Sequence, residues 1–357
     1  MAELGEHYAS VRDEFDYDRP DVDVGSLLAP LVDRAFSATT DAEALREAGD
    51  CDTKFIASAG LTGTPHVGTV AQMFAVKRLN EAGFDTEFLV ADYEKYAGSG
   101  RDLDVVRELA DDYATFLDRI GYEGDVRTQY DAEGVMHTAF RLAPWFEFEN
   151  DLEIDHELTP WEAELDQAYE ADQIEHEDAS GSTQFARRMT GLLCLADFVH
   201  PTLAEGYDQA VFVLGIDEHA LDIFNRHYLG KTPFEPAFEG LFTRMVPGLD
   251  GYPKMSKTIP GSAIKMDMPP EEVRRLVRRT ANTDGTASTS ESAVYQMMSL
   301  VSEYDAGRLE ELETACRKGG AAWDAACAEY AEYLAGLAAK WPGNDDDADR
   351  PRSEGDT

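Results

Sequence analysis

Lysine is scarce in this chain. Nine lysines and 22 arginines stand against 71 acidic side chains in 357 residues, a formal net charge of −40. Such an excess normally excludes a nucleic-acid partner, because phosphates would be repelled. Cysteine is rare too. Cys51, Cys194, Cys316 and Cys327 include no pair at metal-ligand spacing, and nothing in their placement suggests a disulfide framework. No metal site is expected. No apolar run approaches the ~20 residues of a membrane span, and no signal peptide opens the chain. The expectation is a cytoplasmic protein with no membrane partner. A hydrophobic content of 43% argues against wholesale disorder, and the length allows two domains with a substantial core. A folded, acid-coated, lysine-poor chain fits a cytosol at molar salt, where the Debye length is about 3 Å. The acidity then describes the solvent and not the partner. An acidic protein of an ordinary cytosol is the less favoured reading.

What is present is organised. Residues 1–50 are acidic, with helical spacing near Leu27, Leu28, Leu31 and Val32, and read as an appended helical extension. Lys54 to Ala59 reads as a buried strand that runs into the turn-rich Gly60-Leu61-Thr62-Gly63-Thr64-Pro65. Apolar positions from Val67 to Ala82 recur at the helical period, and Gly83 ends that helix. Thr86 to Ala91 is the second strand. Strand, loop, helix and strand within about forty residues make a βαβ unit, so a parallel sheet is expected. An amphipathic helix follows over 103–120, then an acidic insert at about 147–185. Ala210 to Gly215 is a later buried strand. From Pro269 the pattern is helical, over 271–281, 291–303, 307–317 and 321–340, and the tail 342–357 is expected to be disordered.

Two short motifs carry the chemistry. Pro65-His66-Val67-Gly68-Thr69 follows a strand and opens a helix. A helix N-terminus attracts phosphate, and glycine allows close backbone approach. Lys254-Met255-Ser256-Lys257 concentrates two of the nine lysines in four residues, behind Gly248 and Gly251. It reads as a phosphate clamp on a mobile loop, against the blander reading of a solvated loop. Met255 either packs near adenine or fills the core. Asp217, after Gly215 at a strand end, is placed to accept from ribose hydroxyls or to cap a helix. Glu94 suits a ligand amine, or an ion pair with Lys95. Asp197 lies in the apolar run Leu192 to Val199, where a buried carboxylate needs a partner. Arg274, Arg275, Arg278 and Arg279 form the densest basic patch. It is either a salt-bridged helix face or a contact for RNA phosphate.

These residues resemble class I aminoacyl-tRNA synthetases, most closely the archaeal and eukaryotic tryptophanyl type. Pro65 to Thr69 is similar to the HIGH signature, Lys254 to Thr258 to KMSKS, and Asp92-Tyr93-Glu94-Lys95-Tyr96 to D-D-E-K-Y. Gly215-Ile216-Asp217-Glu218 is similar to the I-D-Q segment, and Pro260 to Ile264 to P-N-S-S-I. The resemblance implies a Rossmann-like nucleotide-binding catalytic domain over 51–268. It also implies a helical tRNA-binding domain over 269–341 and assembly as a homodimer. It implies activation of an amino acid by ATP-Mg²⁺, taken as substrate with no tightly bound cofactor, and transfer to tRNA. Carried over, His66, Thr69, Lys254 and Lys257 are catalytic, and Gly68, Gly215, Asp217 and Met255 bind ATP. Glu94, Asp197, Cys194, Glu218 and an aromatic wall at Phe55 bind the amino acid. Leu89, Cys194 and Glu218 stand where the tryptophanyl type is expected to carry glutamines. Asp197 matches an aspartate that bacterial tryptophanyl and tyrosyl enzymes direct at the indole N–H or phenol. Tryptophan is the leading substrate and tyrosine its rival. A divergent paralogue, adenylating for another acceptor or binding tRNA without catalysis, stays open.

Overall fold

A computed structural model describes residues 4–20, 29–146, 158–171, 182–283 and 289–344. In chain order come α1 (Leu4–Phe15), α2 (Ala29–Ala35), β1 (Phe36–Thr39), α3 (Ala42–Glu47), β2 (Thr53–Gly60), α4 (Val67–Glu81), β3 (Asp85–Ala91), α5 (Leu103–Arg119) and β4 (Asp125–Thr128). They continue with α6 (Glu133–Leu142), α7 (Pro160–Ala171), α8 (Gln184–His200), β5 (Gln209–Gly215), α9 (His219–Leu229) and β6 (Phe238–Thr243). The chain then turns helical, through α10 (Pro270–Thr283), α11 (Ala293–Leu300), α12 (Ala306–Lys318) and α13 (Ala321–Ala338).

The six strands form one sheet in the order β1-β6-β5-β2-β3-β4. All pair in parallel except β1, which runs antiparallel to β6 at the edge. The N-terminal extension is therefore more than helical, since it supplies this edge strand. β5 is buried throughout, and β2 and β3 are buried over most of their length with apolar centres, as a sheet covered on both faces requires.

Strand parity divides the core. Phe55, Ala57 and Ala59 face α4 and α5 in a cluster that continues into the C-terminal helices. Ile56 and Leu89 face the other way, toward α6 and α8. Phe55 consequently sits 0% exposed, with its ring T-shaped against Phe84 at 5.2 Å. It is on the face opposite Asp197 and supplies no wall for a ligand there. From β2 the chain winds outward through β3 and β4, and later through β5 and β6 on the other side. The crevice between β2 and β5 is thus a topological switch point, where open parallel sheets bind ligands beyond the strands' carboxyl ends.

Of the acidic insert, residues 147–157 and 172–181 lie outside the described residues, while α7 is described. Of the tail, 345–357 lie outside them. Pro342–Asn344 form one tight turn, and the Asn344 amide donates to Met266 O at 2.7 Å.

Candidate active site

The two motifs, almost two hundred residues apart in sequence, are joined by backbone. Val67 N donates to Ile264 O, and Met266 N to Pro65 O, each at 3.0 Å. His66 and Lys265 form the bridge between them. This short antiparallel clamp fixes the start of α4 beside the lysine loop. The loop itself is ordered by Met255 N to Val246 O at 3.1 Å and by Ser256 N to Ser262 Oγ at 3.1 Å.

His66 caps α4. Its Nδ1 accepts from Thr69 N at 3.2 Å, so in the neutral ring the proton sits on Nε2. Burial, followed by the charges of Lys257 and Lys254, pulls its pKa down to about 3. The ring is therefore a neutral donor at physiological pH. Gly68 is required by this geometry, because a Cβ there would meet the His66 ring at 2.8 Å.

The two lysines are held differently. Lys254 donates to Asp217 in an ion pair. Burial opposes both charges, but the pairing wins: Lys254 lies above and Asp217 below its ordinary range. Lys257 has neutral partners, Gly60 O at 3.1 Å and the Tyr113 hydroxyl at 3.0 Å. Burial, then Lys95, lowers it to about 8. It is an ammonium held on a carbonyl and a phenol, a state that favours exchange for an anion.

A cavity of about 380 Å³ opens here, lined by Gly60, His66, Gly68, Thr69, Gly215, Asp217, Glu218, Lys254, Met255 and Lys257 at one end. Leu89, Glu94, Gln129, Cys194, Asp197, Phe198 and Phe212 line the other. It lies beyond β2, β3, β5 and β6, as the switch point requires. Met255 lines the cavity and is 3% exposed in the core. Glu218 accepts from Gly215 N at 2.9 Å and from the Gln72 amide at 3.1 Å, and burial raises its pKa. A side chain on Gly215 would strike the Asp217 carboxylate at 2.5 Å. Cys194 receives a weak contact from the Asn225 amide at 3.8 Å, and burial pushes its thiol up. Glu94 N donates to Gln129 Oε1 at 3.1 Å, and the Glu94 carboxylate lies 4.0 Å from the Lys95 ammonium.

Asp197 is 1% exposed, and its two oxygens accept from Arg127 Nη1 at 2.7 Å and Gln129 Nε2 at 2.9 Å. Sequence reasoning named neither partner. Both come from β4 and the residue just beyond it, a strand too short and polar to stand out in the pattern. Tyr113, the partner of Lys257, lies on the amphipathic helix expected over 103–120 and was not singled out within it.

The four arginines do not join the cavity. Arg274 and Arg278 pair with Glu332 at 2.6 and 3.2 Å, Arg275 with Glu272 at 2.5 Å, and Arg279 with Asp250 at 2.6 Å. The helix face is salt-bridged, four arginines against three carboxylates, so most of its charge is offset within the chain.

Among the described residues no helix is long and apolar enough to cross a membrane. Residues 181–335 match the family model for class I tRNA synthetases (W and Y). A tyrosine–tRNA ligase of Methanocorpusculum labreanum is 25% identical over 219 residues, which is 61% of this chain and 62% of that relative's length. The fold is similar to the tryptophanyl-tRNA synthetase of Aeropyrum pernix K1, with TM-score 0.66, 19% identity and coverage of 96% and 95% of the two chains. It is also similar to the tyrosyl-tRNA synthetase of Archaeoglobus fulgidus solved with L-tyrosine. There the TM-score is 0.63 and the identity 20%, over 88% and 98%.

Proposed function

We propose an activity for this chain from the family to which it belongs, the class I tRNA synthetases of the W and Y group. It activates an aromatic amino acid, tryptophan in the leading reading, with ATP-Mg²⁺ and transfers it to tRNA. One observation carries this reading: the His66 cap, Gly68, Asp217 and both loop lysines converge on one cavity at the sheet's switch point.

The amino-acid carboxylate attacks the α-phosphorus, and pyrophosphate leaves. Negative charge develops on the pentavalent phosphorus and on the departing oxygens. The donors set around it are the His66 Nε2–H, the Gly68 N–H at the start of α4, and the two ammonium groups. Preorganised donors of this kind act in the transition state without reorganising. Lys257 would exchange Gly60 O and the Tyr113 hydroxyl for phosphate oxygens, and recover the charge stabilisation that burial denies it. Lys254 would leave Asp217, freeing that carboxylate for the ribose hydroxyls. Mg²⁺ arrives with the nucleotide. Glu94 would hold the α-ammonium group, and Asp197 would accept from the ring donor of the side chain.

Tyrosine is the second reading. Asp197 serves a phenol as well as an indole N–H, and the curated relative above is a tyrosine ligase. The tRNA contact is proposed at α10, where phosphates would displace Glu272, Glu332 and Asp250 from the arginines. Charging of total tRNA with labelled tryptophan and tyrosine tests the whole reaction. Adenylate formation without charged tRNA would move the function to another acceptor.

A further inference from the structure

On the sheet face toward α8, alternate residues of three strands carry charge. Glu87 lies opposite Ile56 on β2 and Asp125 on β4, and Arg127 lies opposite Leu89. Arg127 reaches both ways. Its Nη1 donates to Asp197, while Nε and Nη2 donate to Glu87 Oε1 at 2.8 and 2.7 Å. The other Glu87 oxygen is 3.4 Å from Lys54 Nζ, which also lies 3.7 Å from Asp125 and 3.6 Å from Glu205 at the outer end. Charges therefore alternate from the surface to the cavity floor, and all the central members are largely buried. A pair serving the fold alone would have no need to end at a cavity-lining carboxylate whose second oxygen is separately held by Gln129.

We propose that Arg127, held between Glu87 and Asp197, is a positioning residue that keeps Asp197 an oriented acceptor and so sets the preference for amino acids carrying a ring N–H or O–H. This rests on the reading of the function given above. Held by one guanidinium and one amide, the carboxylate cannot rotate away from the cavity, and its remaining lone pairs are the ones a ligand donor meets. Left without Arg127, it would be a buried acid facing Glu87 on β3 and Glu94, with Cys194 and His200 on its own helix. Burial pushes Asp197 up, Arg127 and Gln129 pull it back, and Glu87 pushes it up again. A protonated Asp197 turns from acceptor to donor, and the preference is lost.

The two neighbours act with opposite sign, and that opposition is the test. Binding of tryptophan, tyrosine and phenylalanine to the full-length protein is measured by calorimetry between pH 5.5 and 8.5, with circular dichroism as the folding control. For Arg127→Gln the preference for a donor-bearing ring over phenylalanine is expected to fall by about tenfold or more. The acid limb of binding should rise by about one pH unit or more, the range an adjacent arginine commands. For Glu87→Gln the limb should move down, because Arg127 then serves Asp197 alone. Asp197→Asn should abolish it. If Arg127→Gln keeps both ratio and limb, the inference falls and the reading of the function stands. If it does not fold, Glu87→Gln decides, and a limb that stays or rises overturns the proposal. A limb that survives in Asp197→Asn belongs to another group and overturns it also. If the wild type binds neither tryptophan nor tyrosine, inference and function reading fall together.

Discussion

Lys257 should write a pH dependence into the first half-reaction. Its ammonium is buried against a carbonyl and a phenol, with Lys95 the largest cationic influence on it, and burial with that charge lowers it to about 8 where 10.5 is ordinary. At about 1.4 kcal/mol per pH unit, that difference is about 3 kcal/mol held against the charged form. ATP phosphates in place of the neutral partners would return it. The dependence of kcat/KM for ATP on pH reports the free enzyme, and kcat reports the complex. In amino-acid-dependent pyrophosphate exchange, kcat/KM should therefore fall above pH 8, to about one tenth at pH 9. The limb in kcat should lie higher. His66 at about 3 is far from this range, and Lys254 and Tyr113 are both displaced upward, so none of them supplies the limb. Lys257→Arg, which does not titrate, should remove it. Lys257→Ala should lower the adenylation rate by about two orders of magnitude, as for loss of one preorganised donor, with far less change in ATP affinity. A flat kcat/KM profile from pH 7 to 9.5, or a limb that persists in Lys257→Arg, refutes the reasoning.

Three further outcomes are expected. His66→Ala removes the cap acceptor for Thr69 N, and should cost about 1 kcal/mol in chemical denaturation besides slowing adenylate formation in single-turnover assays. Gly68→Ala forces a Cβ to within 2.8 Å of the His66 ring; it should slow adenylation more than it destabilises the fold, since the ring can swing away but then leaves its position. With a net charge of −40, both the thermal midpoint and the activity should rise with KCl toward the molar range, where screening is nearly complete. Full activity at low salt that declines with added KCl would contradict the halophilic reading.

The central strands were legible because burial on both faces leaves continuous apolar runs. β2, β3 and β5 fall within a residue of the expected bounds, and so does α12, while α10 and α13 end two residues away and α11 is shorter at both ends. β1, β4 and β6 went unnoticed. The first two are four-residue edge strands whose pairing comes from the tertiary fold and not from pattern. The phosphate end of the cavity was legible because its residues cluster in two compact motifs. The amino-acid end was legible only in part: Asp197, Cys194 and Glu94 were named and line it, but Arg127, Gln129 and Glu87 were not, because they reach Asp197 only through the register of β3 and β4. Phe55 shows the same limit. A resemblance placed it at the ligand, but strand parity puts it on the opposite face, and parity was readable from Ile56 and Leu89. The arginine patch on α10 was visible as a charge cluster, while Glu332 and Asp250, which pair with three of its arginines, are distant in sequence.

The most direct test is ATP–pyrophosphate exchange with each of the twenty amino acids, with and without tRNA. The account predicts exchange that depends on tryptophan, or on tyrosine in the second reading, and excludes phenylalanine by a large factor, because Asp197 would be left without its ligand donor. Exchange with none of the twenty, even with tRNA present, would contradict it.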